Sequence, residues 1–295
     1  MKWLPDRTLD HLRVVLESPD LSGTKYRVIR EIGRGGMGVV YEAEDVELDR
    51  RVALKVLNGA DFSGEARILA RLEHPGIVPV HDAGMLPDGR VFYAMKLVEG
   101  TRLDRLAASG ASLASRLRMF QKACETVAFA HSHGVIHRDL KPQNILVGSF
   151  GEVLIMDWGV ARRGPQPDAA PGTVMGTAGY MAPEQARGEV DRIDERSDVY
   201  ALGAILRFLS GEKDVPKRLA AIAAKAMAAE PDARCPSARD LGADVARFLD
   251  ALPVTAYREG IFERLARVVS RNRMAVVLVA AYLLMRVLLL LFRRP

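Results

Sequence analysis

The chain has 295 residues, enough for one large domain or two lobes with a real core, and its ordinary composition argues against bulk disorder. Its net charge is +5, but acidic residues are nearly as numerous as basic ones, and no basic patch interleaved with aromatics marks a nucleic-acid surface. Cys124 and Cys235 stand far apart, with neither metal-ligand spacing nor a disulfide framework, which fits a reducing compartment.

The N-terminus, MKWLPDRTLD, has no apolar run, so no signal peptide is expected. Residues 8–17 have the spacing of a short amphipathic helix, which ESPDLSG then breaks. From Tyr26 the chain alternates in YRVIREIG, GVVYEAED and RVALKVL, which predicts three strands joined by short turns, the first turn rich in glycine. A helix is expected over 64–72, then strands over 77–82 and 90–97 with LPDGR as the turn between them. After Gly100 the character changes. Helical spacing runs through 113–133, and further helices are expected at 184–187, 197–209, 218–228 and 238–252. A small β-rich lobe thus precedes a larger helical one, an α+β arrangement without internal repeats. RRGPQPDAAPGTVMG reads as a loop within the helical part.

The segment GRGGMGVV sets Gly33, Gly35 and Gly38 in a Gly-x-Gly-x-x-Gly-x-Val pattern on a strand-turn-strand. Glycines let backbone N–H groups approach phosphate, although glycine-rich hairpins are common and the pattern alone is weak. A dinucleotide-binding fold is disfavoured, because its motif leads into a helix and here a strand follows. Lys55, alone among the apolar residues of VALKVL, is either a solvent-facing charge or a ligand for the α- and β-phosphates. Glu65 is either a surface residue or the carboxylate that fixes that lysine. HRDLKPQN, 137–144, gathers an acid, a lysine and an amide on one loop. Phosphoryl transfer from ATP needs these functions: a hydroxyl oriented, charge on the moving group neutralised, and Mg2+ held by oxygen ligands. Asp157, in IMDWGVARR, follows ILVGSFGEVLIM, a hairpin-like stretch that returns it beside Asn144.

Six motifs in order, GRGGMGVV, VALKVL, HRDLKPQN, DWG, GTAGYMAPE and SDVYALG, carry a resemblance. From about Tyr26 to Leu252 the chain resembles the eukaryotic-like serine/threonine protein kinases of bacteria. The resemblance implies the bilobal protein-kinase fold, with a β-rich N-lobe over 26–98 and a helical C-lobe over 99–252. It implies ATP-dependent phosphorylation of serine or threonine on protein substrates in bacterial signalling, autophosphorylation included, with Mg2+ or Mn2+. By the same resemblance Asp139 is the catalytic base or hydroxyl positioner, Lys141 steadies the γ-phosphate, Asn144 and Asp157 bind the metal, and Lys55 pairs with Glu65. The glycines Gly33, Gly35 and Gly38 cover the phosphates. Met95 falls at the gatekeeper position and Lys96 to Val98 at the hinge that reads adenine. Val40, Ala53 and Leu146 sandwich the ring, and they are equally readable as core. Arg138 would pair with a phosphate on Thr173, while Thr177 is the substrate-side threonine near Asp139. Lys141 and Thr177 point to Ser/Thr rather than Tyr substrates. Glu184 and Arg234 match the family's buried ion pair, and Asp198 the residue that braces the catalytic loop.

Three departures stand out. Trp158 replaces the usual phenylalanine, keeping an apolar plate and adding an N–H that needs a partner when buried. The regulatory helix before residue 72 is expected to be short. After SDVYALGAILRFLSG only EKDVP intervenes before KRLAAIAAKAMAAEPDARCPSA, so a helix that commonly supports substrate docking is expected to be missing. A nucleotide-binding pseudokinase scaffold at the membrane is the rival from another class. A small-molecule kinase is disfavoured by GTAGYMAPE. A homodimer is compatible with the sequence, and nucleic acid is not an expected partner.

The C-terminus has its own character. MAVVLVAAYLLMRVLLLLF, 274–292, is nineteen residues with Arg286 as its one charge. As a helix it extends about 28 Å, close to the hydrocarbon core, so a transmembrane helix in contact with lipid is expected. Arg286 costs about 2.5–3.5 kcal/mol at the bilayer centre but can snorkel to the nearer face. Ahead of it, 257–273 has the pattern of a helix lying on an anionic membrane surface, or of one packed on the kinase domain. Arg258, Arg264, Arg267, Arg271 and Arg273 precede the apolar stretch and only Arg293 and Arg294 follow it. That bias predicts a single-pass protein of the cytoplasmic membrane with its kinase domain in the cytoplasm. With 293–295 as the only tail, no extracellular sensor domain is expected on this chain, and 1–25 is an N-terminal extension.

Overall fold

The computed structural model describes residues 19–35, 38–58, 68–158, 162–163, 176–264, 269 and 272–292. Strands β1 (Tyr26–Gly35), β2 (Gly38–Asp45), β3 (Arg50–Leu57), β4 (Val80–Met85) and β5 (Val91–Lys96) form one antiparallel sheet in the order β1-β2-β3-β5-β4. Alternation divides its side chains between two layers. Val52, Leu54 and Val56 of β3 join Tyr41, Ala43, Phe92 and Ala94 in a cluster within the small lobe. Ala53, Tyr93 and Met95 point the other way, into the main core. Both faces of β3 are therefore covered, and Lys55 is drawn inside with its neighbours at 5% exposure. The turn from β1 pairs Gly35 with Gly38. Gly38 has a φ of 157°, and a Cβ there would stand 2.2 Å from the Val56 carbonyl oxygen, so only glycine fits between β1 and β3.

The strand expected over 77–82 begins later, at Val80. Ile77 is instead engaged in a parallel bridge with Ile155, and the Ile155 N–H donates to the Gly76 carbonyl at 2.8 Å. This contact ties the small lobe to the large one. Of the helix expected over 64–72, residues 64–67 lie outside the described residues, 68–69 are helical, and Leu69 and Leu72 are buried.

The large lobe opens with β6 (Gly100–Arg102) and α1 (Leu103–Ala108). Neither announces itself in the sequence, since α1 is short and its N-cap Arg102 makes no side-chain cap. Next comes α2 (Leu113–Ser132), capped by Ser112, whose hydroxyl accepts from the Ser115 N–H. Leu117, Phe120, Cys124 and Val127 lie along one buried face at helical spacing. Then follow β7 (Val135–Ile136), β8 (Ile145–Gly148), β9 (Val153–Ile155) and β10 (Arg162–Arg163). β6, β8 and β9 make a three-stranded sheet, and β10 pairs with β7. The remaining helices are α3 (Pro183–Ala186), α4 (Glu195–Ser210), α5 (Lys217–Ala226) and α6 (Ala238–Leu249). Asp194 caps α4 and Ser237 caps α6 through their side chains. Residues 211–216 alone carry the chain from α4 to α5. Those two helices pack closely because Gly203 has no Cβ; one there would sit 2.7 Å from that of Ala226. The last helix expected in this lobe, over 238–252, ends at Leu249. Pro253 disfavours helical backbone at residue 252, and Ala251 takes a left-handed φ of 52°.

The C-terminal segment differs from expectation in two respects. Residues 257–260 are not helical; a helical turn covers 261–264, and 265–268 and 270–271 lie outside the described residues. Second, among the described residues no helix is long and apolar enough to cross a membrane, so the expected span is not borne out there. The helix α7 (Arg273–Phe292) has its large apolar side chains exposed from Val277 to Leu289. The exposed stretch from Val277 to Leu289 alone amounts to about 20 Å of helix and includes Arg286.

Candidate active site

The two lobes enclose a cavity of about 570 Å³, a size that suits a nucleotide-scale ligand. Gly33, Gly35, Gly38 and Val40 line it from the β1–β2 hairpin, and Ala53 and Lys55 from β3. Met95, Lys96 and Val98 line it from the end of β5 and the chain beyond, and Leu146 from β8. Asp139, Lys141, Asn144, Asp157 and Trp158 line it from the large lobe. A Cβ on Gly33 or Gly35 would meet nothing within 4 Å, so packing does not explain these glycines, and their backbone is open to a ligand.

Asp157 stands just after β9 with a left-handed φ of 62°. Its Oδ1 accepts a 2.9 Å hydrogen bond from Lys55 Nζ, across the two lobes. Burial pushes the Asp157 carboxyl up, but the neighbouring positive groups together, Lys55 foremost, hold it below the usual carboxylate range. The lysine is thereby resolved in favour of the buried reading over the solvent-facing one. Its expected partner Glu65 lies outside the described residues, as does Thr173.

The loop between β7 and β8 holds the second group of charges. Lys141 Nζ lies 2.7 Å from Asp139 Oδ2 and 2.8 Å from Thr177 Oγ1. The Thr177 hydroxyl donates to Asp139 Oδ1 at 2.9 Å, closing a triangle of carboxylate, ammonium and hydroxyl. Asn144 Nδ2 donates to the Asp139 carbonyl at 2.9 Å, so the amide oxygen is the atom left for a cation. The Met156 N–H in turn donates to the Asn144 carbonyl at 2.8 Å, fastening the Asp157 segment to this loop.

A buried scaffold holds both groups in place. Asp198 on α4 accepts from the backbone N–H groups of His137 at 2.8 Å and Arg138 at 2.9 Å, and its Oδ2 lies 2.8 Å from His131 Nε2. Burial pushes the Asp198 carboxyl up, yet these hydrogen bonds, that of His131 foremost, keep it below the usual range. Arg138 is buried in a left-handed conformation with φ of 69°. Its carbonyl accepts from Gln185 Nε2 at 2.9 Å, which links the catalytic loop to α3. His137 accepts from the Asp139 N–H at Nδ1 and meets the Met156 carbonyl at 3.0 Å through Nε2, an arrangement that requires the proton on Nε2.

Trp158 is almost wholly buried, at 1% exposure, with its ring centroid 4.7 Å from that of His137. Its indole N–H donates to the Ile155 carbonyl at 3.1 Å, so the extra donor has its partner. Further out, Glu184 and Arg234 form a fully buried bidentate pair, with 2.7 Å on each arm. Arg234 spends its remaining donors on the carbonyls of Ala228, Arg196 and Ala229. Ser197 adds a 2.7 Å hydrogen bond to Glu184, and the carboxyl stays depressed against the upward push of burial.

Sequence reasoning missed the partners His131, Gln185 and Ser197. Each acts on a residue 13 to 67 positions away, and no local pattern marks such contacts. Among the described residues no group of three or more His, Cys, Asp or Glu side chains could hold a metal. Mg2+ is commonly held by only one or two protein oxygens, with phosphate and water completing the shell. The carboxylate of Asp157 and the amide oxygen of Asn144, both lining the cavity, fit that requirement.

Comparison with known proteins agrees with this architecture. The family model described as protein kinase domain matches residues 26–252. The chain is similar to the serine/threonine-protein kinase PknD of Chlamydia felis, 35% identical over 296 residues that cover 78% of this chain and 31% of the relative. It is likewise similar to PknD of Chlamydia trachomatis serovar D, 37% identical over 303 residues covering 78% and 32%. For PknD of Chlamydia muridarum the figures are 37% over 290 residues, covering 74% and 31%. The chain thus spans about a third of the length of the curated relatives it matches. With the matched region running through both lobes and the cavity between them, the chain belongs to the protein kinase domain family.

Proposed function

We propose that the chain transfers the γ-phosphoryl group of ATP to serine and threonine hydroxyls of proteins, itself included, in bacterial signalling. The observation that carries this reading is the hydroxyl already seated at the site. Thr177 Oγ1 donates to Asp139 at 2.9 Å while Lys141 stands 2.8 Å away. A substrate hydroxyl makes the same chemical demand. In the reaction its oxygen bonds to the γ-phosphorus, the bond to the β–γ bridging oxygen breaks, and ADP leaves with that electron pair. Asp139 orients the hydroxyl and accepts its proton. Lys55, held by Asp157, and Lys141, held by Asp139, bring ammonium charge to the cavity that the phosphates would enter. Magnesium held by Asn144 and Asp157 would neutralise phosphate charge. Adenine would sit between Val40, Ala53 and Leu146 against the hinge, Met95 to Val98, with Glu65 fixing Lys55. A phosphate on Thr173 would be read by Arg138. The test is incubation with γ-labelled ATP, Mg2+ and a generic acceptor protein, followed by acid hydrolysis. Label on phosphoserine and phosphothreonine supports the reading; label on phosphotyrosine alone opposes it.

We also propose that α7 attaches the chain to the cytoplasmic membrane, with the kinase lobes in the cytoplasm. The support is the nineteen-residue run 274–292 with one charge, and the arginines concentrated before it. In fractionation the full chain should need detergent, and a chain ending at Arg264 should not. Equal behaviour of the two opposes the attachment.

A further inference from the structure

Between the large lobe and α7 the chain changes character abruptly. Residues 252–259 are clamped to the lobe. Val254 is 5% exposed, and the buried Asp244 of α6 accepts from the N–H groups of Thr255 and Ala256 and from the Thr255 hydroxyl. Arg218 of α5 holds the Leu252 carbonyl at 2.9 Å and Glu259 at 3.2 Å. Two residues after Glu259, Ile261 and Phe262 are 84% and 87% exposed.

Adjacent apolar side chains this bare need an explanation. The charges around them supply it. Of the acidic groups of this segment, Glu259 is turned inward onto Arg218, while the exposed Glu263 is engaged by the Tyr257 hydroxyl and the Gly260 N–H and lies 3.8 Å from Lys217. The cations are outward: Arg258 and Arg264 are exposed, and Lys217 of α5 is 80% exposed beside Glu263. The patch is thus apolar at its centre, and its rim is net positive, with Arg258, Arg264 and Lys217 against the single exposed carboxylate of Glu263; it lies on the path to the exposed apolar helix α7. A lipid surface with anionic headgroups matches that layout.

We infer that Ile261 and Phe262, flanked by Arg258, Arg264 and Lys217, form a docking surface for an anionic bilayer. The clamp at Asp244 and Arg218 fixes this patch to the large lobe. Docking therefore sets the orientation of the kinase relative to the membrane, with the α5 side toward lipid. The inference rests on the attachment proposed for α7 and adds a second, separately placed contact.

The experiment uses the full chain in vesicles carrying brominated acyl chains, either with phosphatidylglycerol or with phosphatidylcholine alone. Phe262→Trp and Tyr282→Trp report on the patch and on α7, and the unaltered protein gives the background of Trp3 and Trp158. The expected result is a blue shift and quenched emission for both reporters with phosphatidylglycerol, with the quenching relieved at 262 but kept at 282 when Arg258→Gln/Arg264→Gln is added. Quenching at 282 without quenching at 262 overturns the docking surface and leaves the attachment standing. Quenching at neither position overturns both. Equal quenching at 262 in neutral vesicles overturns the role of the arginines. Shielding of 262 that depends on protein concentration and not on lipid identifies a second copy as the occupant and overturns the lipid assignment.

Discussion

Replacing Trp158 by phenylalanine separates what the indole does for the fold from what its neighbour Asp157 does for chemistry. The smaller ring has three fewer atoms in a site that is 1% exposed, and one of the three is the N–H that donates to the Ile155 carbonyl. At about 0.8 kcal/mol per buried carbon, the two carbons represent about 1.6 kcal/mol. The lost hydrogen bond adds about 1 kcal/mol. Trp158→Phe should therefore lower unfolding stability by about 2.5 kcal/mol, read as a lower midpoint in urea with an unchanged slope. The Lys55–Asp157 and Asp139–Lys141 contacts involve no indole atom, so the folded variant should keep its transfer rate. A variant of unchanged stability would show that the contact at 3.1 Å and the burial contribute nothing. One that is folded, binds ATP and is inactive would show that the indole acts in the chemistry.

Asp157→Asn should lose phosphoryl transfer by on the order of 10²-fold or more while melting near the parent temperature. Asparagine tolerates the left-handed φ of 62° at that position, so a large drop in melting temperature would contradict the local-geometry argument. Arg234→Met should cost about 3–5 kcal/mol in chemical unfolding, because it strands the buried Glu184 carboxylate; a loss under about 1 kcal/mol would refute the assignment. Stability should also depend on acid. Glu184 and Asp198 have carboxyls held below their ordinary values of 4.5 and 3.8. Their contribution is complete above those values and is lost as pH falls below them through the depressed folded-state values. Unfolding midpoints should be level from neutral pH to about 5 and fall below about 4, with a shallower acid limb in Glu184→Gln/Arg234→Met.

Most of the architecture was legible where one residue carries its meaning in its immediate neighbours. Alternation through VALKVL placed β3, and helical spacing placed α2, α4, α5 and α6 to within a few residues. What escaped is set by residues far apart. Lys55 looked equally suited to solvent and cavity because alternation does not tell whether both sheet faces are covered. The late start of β4 depends on Ile77 meeting Ile155; the brace at Asp198 was expected, but its contact with His131, 67 residues earlier, was not. α1 carries no capping side chain to mark its start. Of the helix expected over 257–273, 257–260 are not helical and 261–264 form a helical turn, because Asp244 captures the backbone just ahead of it at Thr255 and Ala256. Within the site, residues of one loop were readable together, and the resemblance set Thr177 near Asp139; its contact with Lys141 is what the fold adds.

The central claim is that Asp139 takes part in phosphoryl transfer to a hydroxyl. Single-turnover transfer from γ-labelled ATP, measured with the calorimetric affinity for ATP in the same preparations of the parent and Asp139→Asn, tests it most directly. The account predicts that both proteins bind ATP alike and that the variant transfers more slowly by on the order of 10²–10⁴-fold. Equal transfer by the two would remove Asp139 from the chemistry, and ATP binding without transfer in the parent would show a nucleotide-binding protein that is not an enzyme.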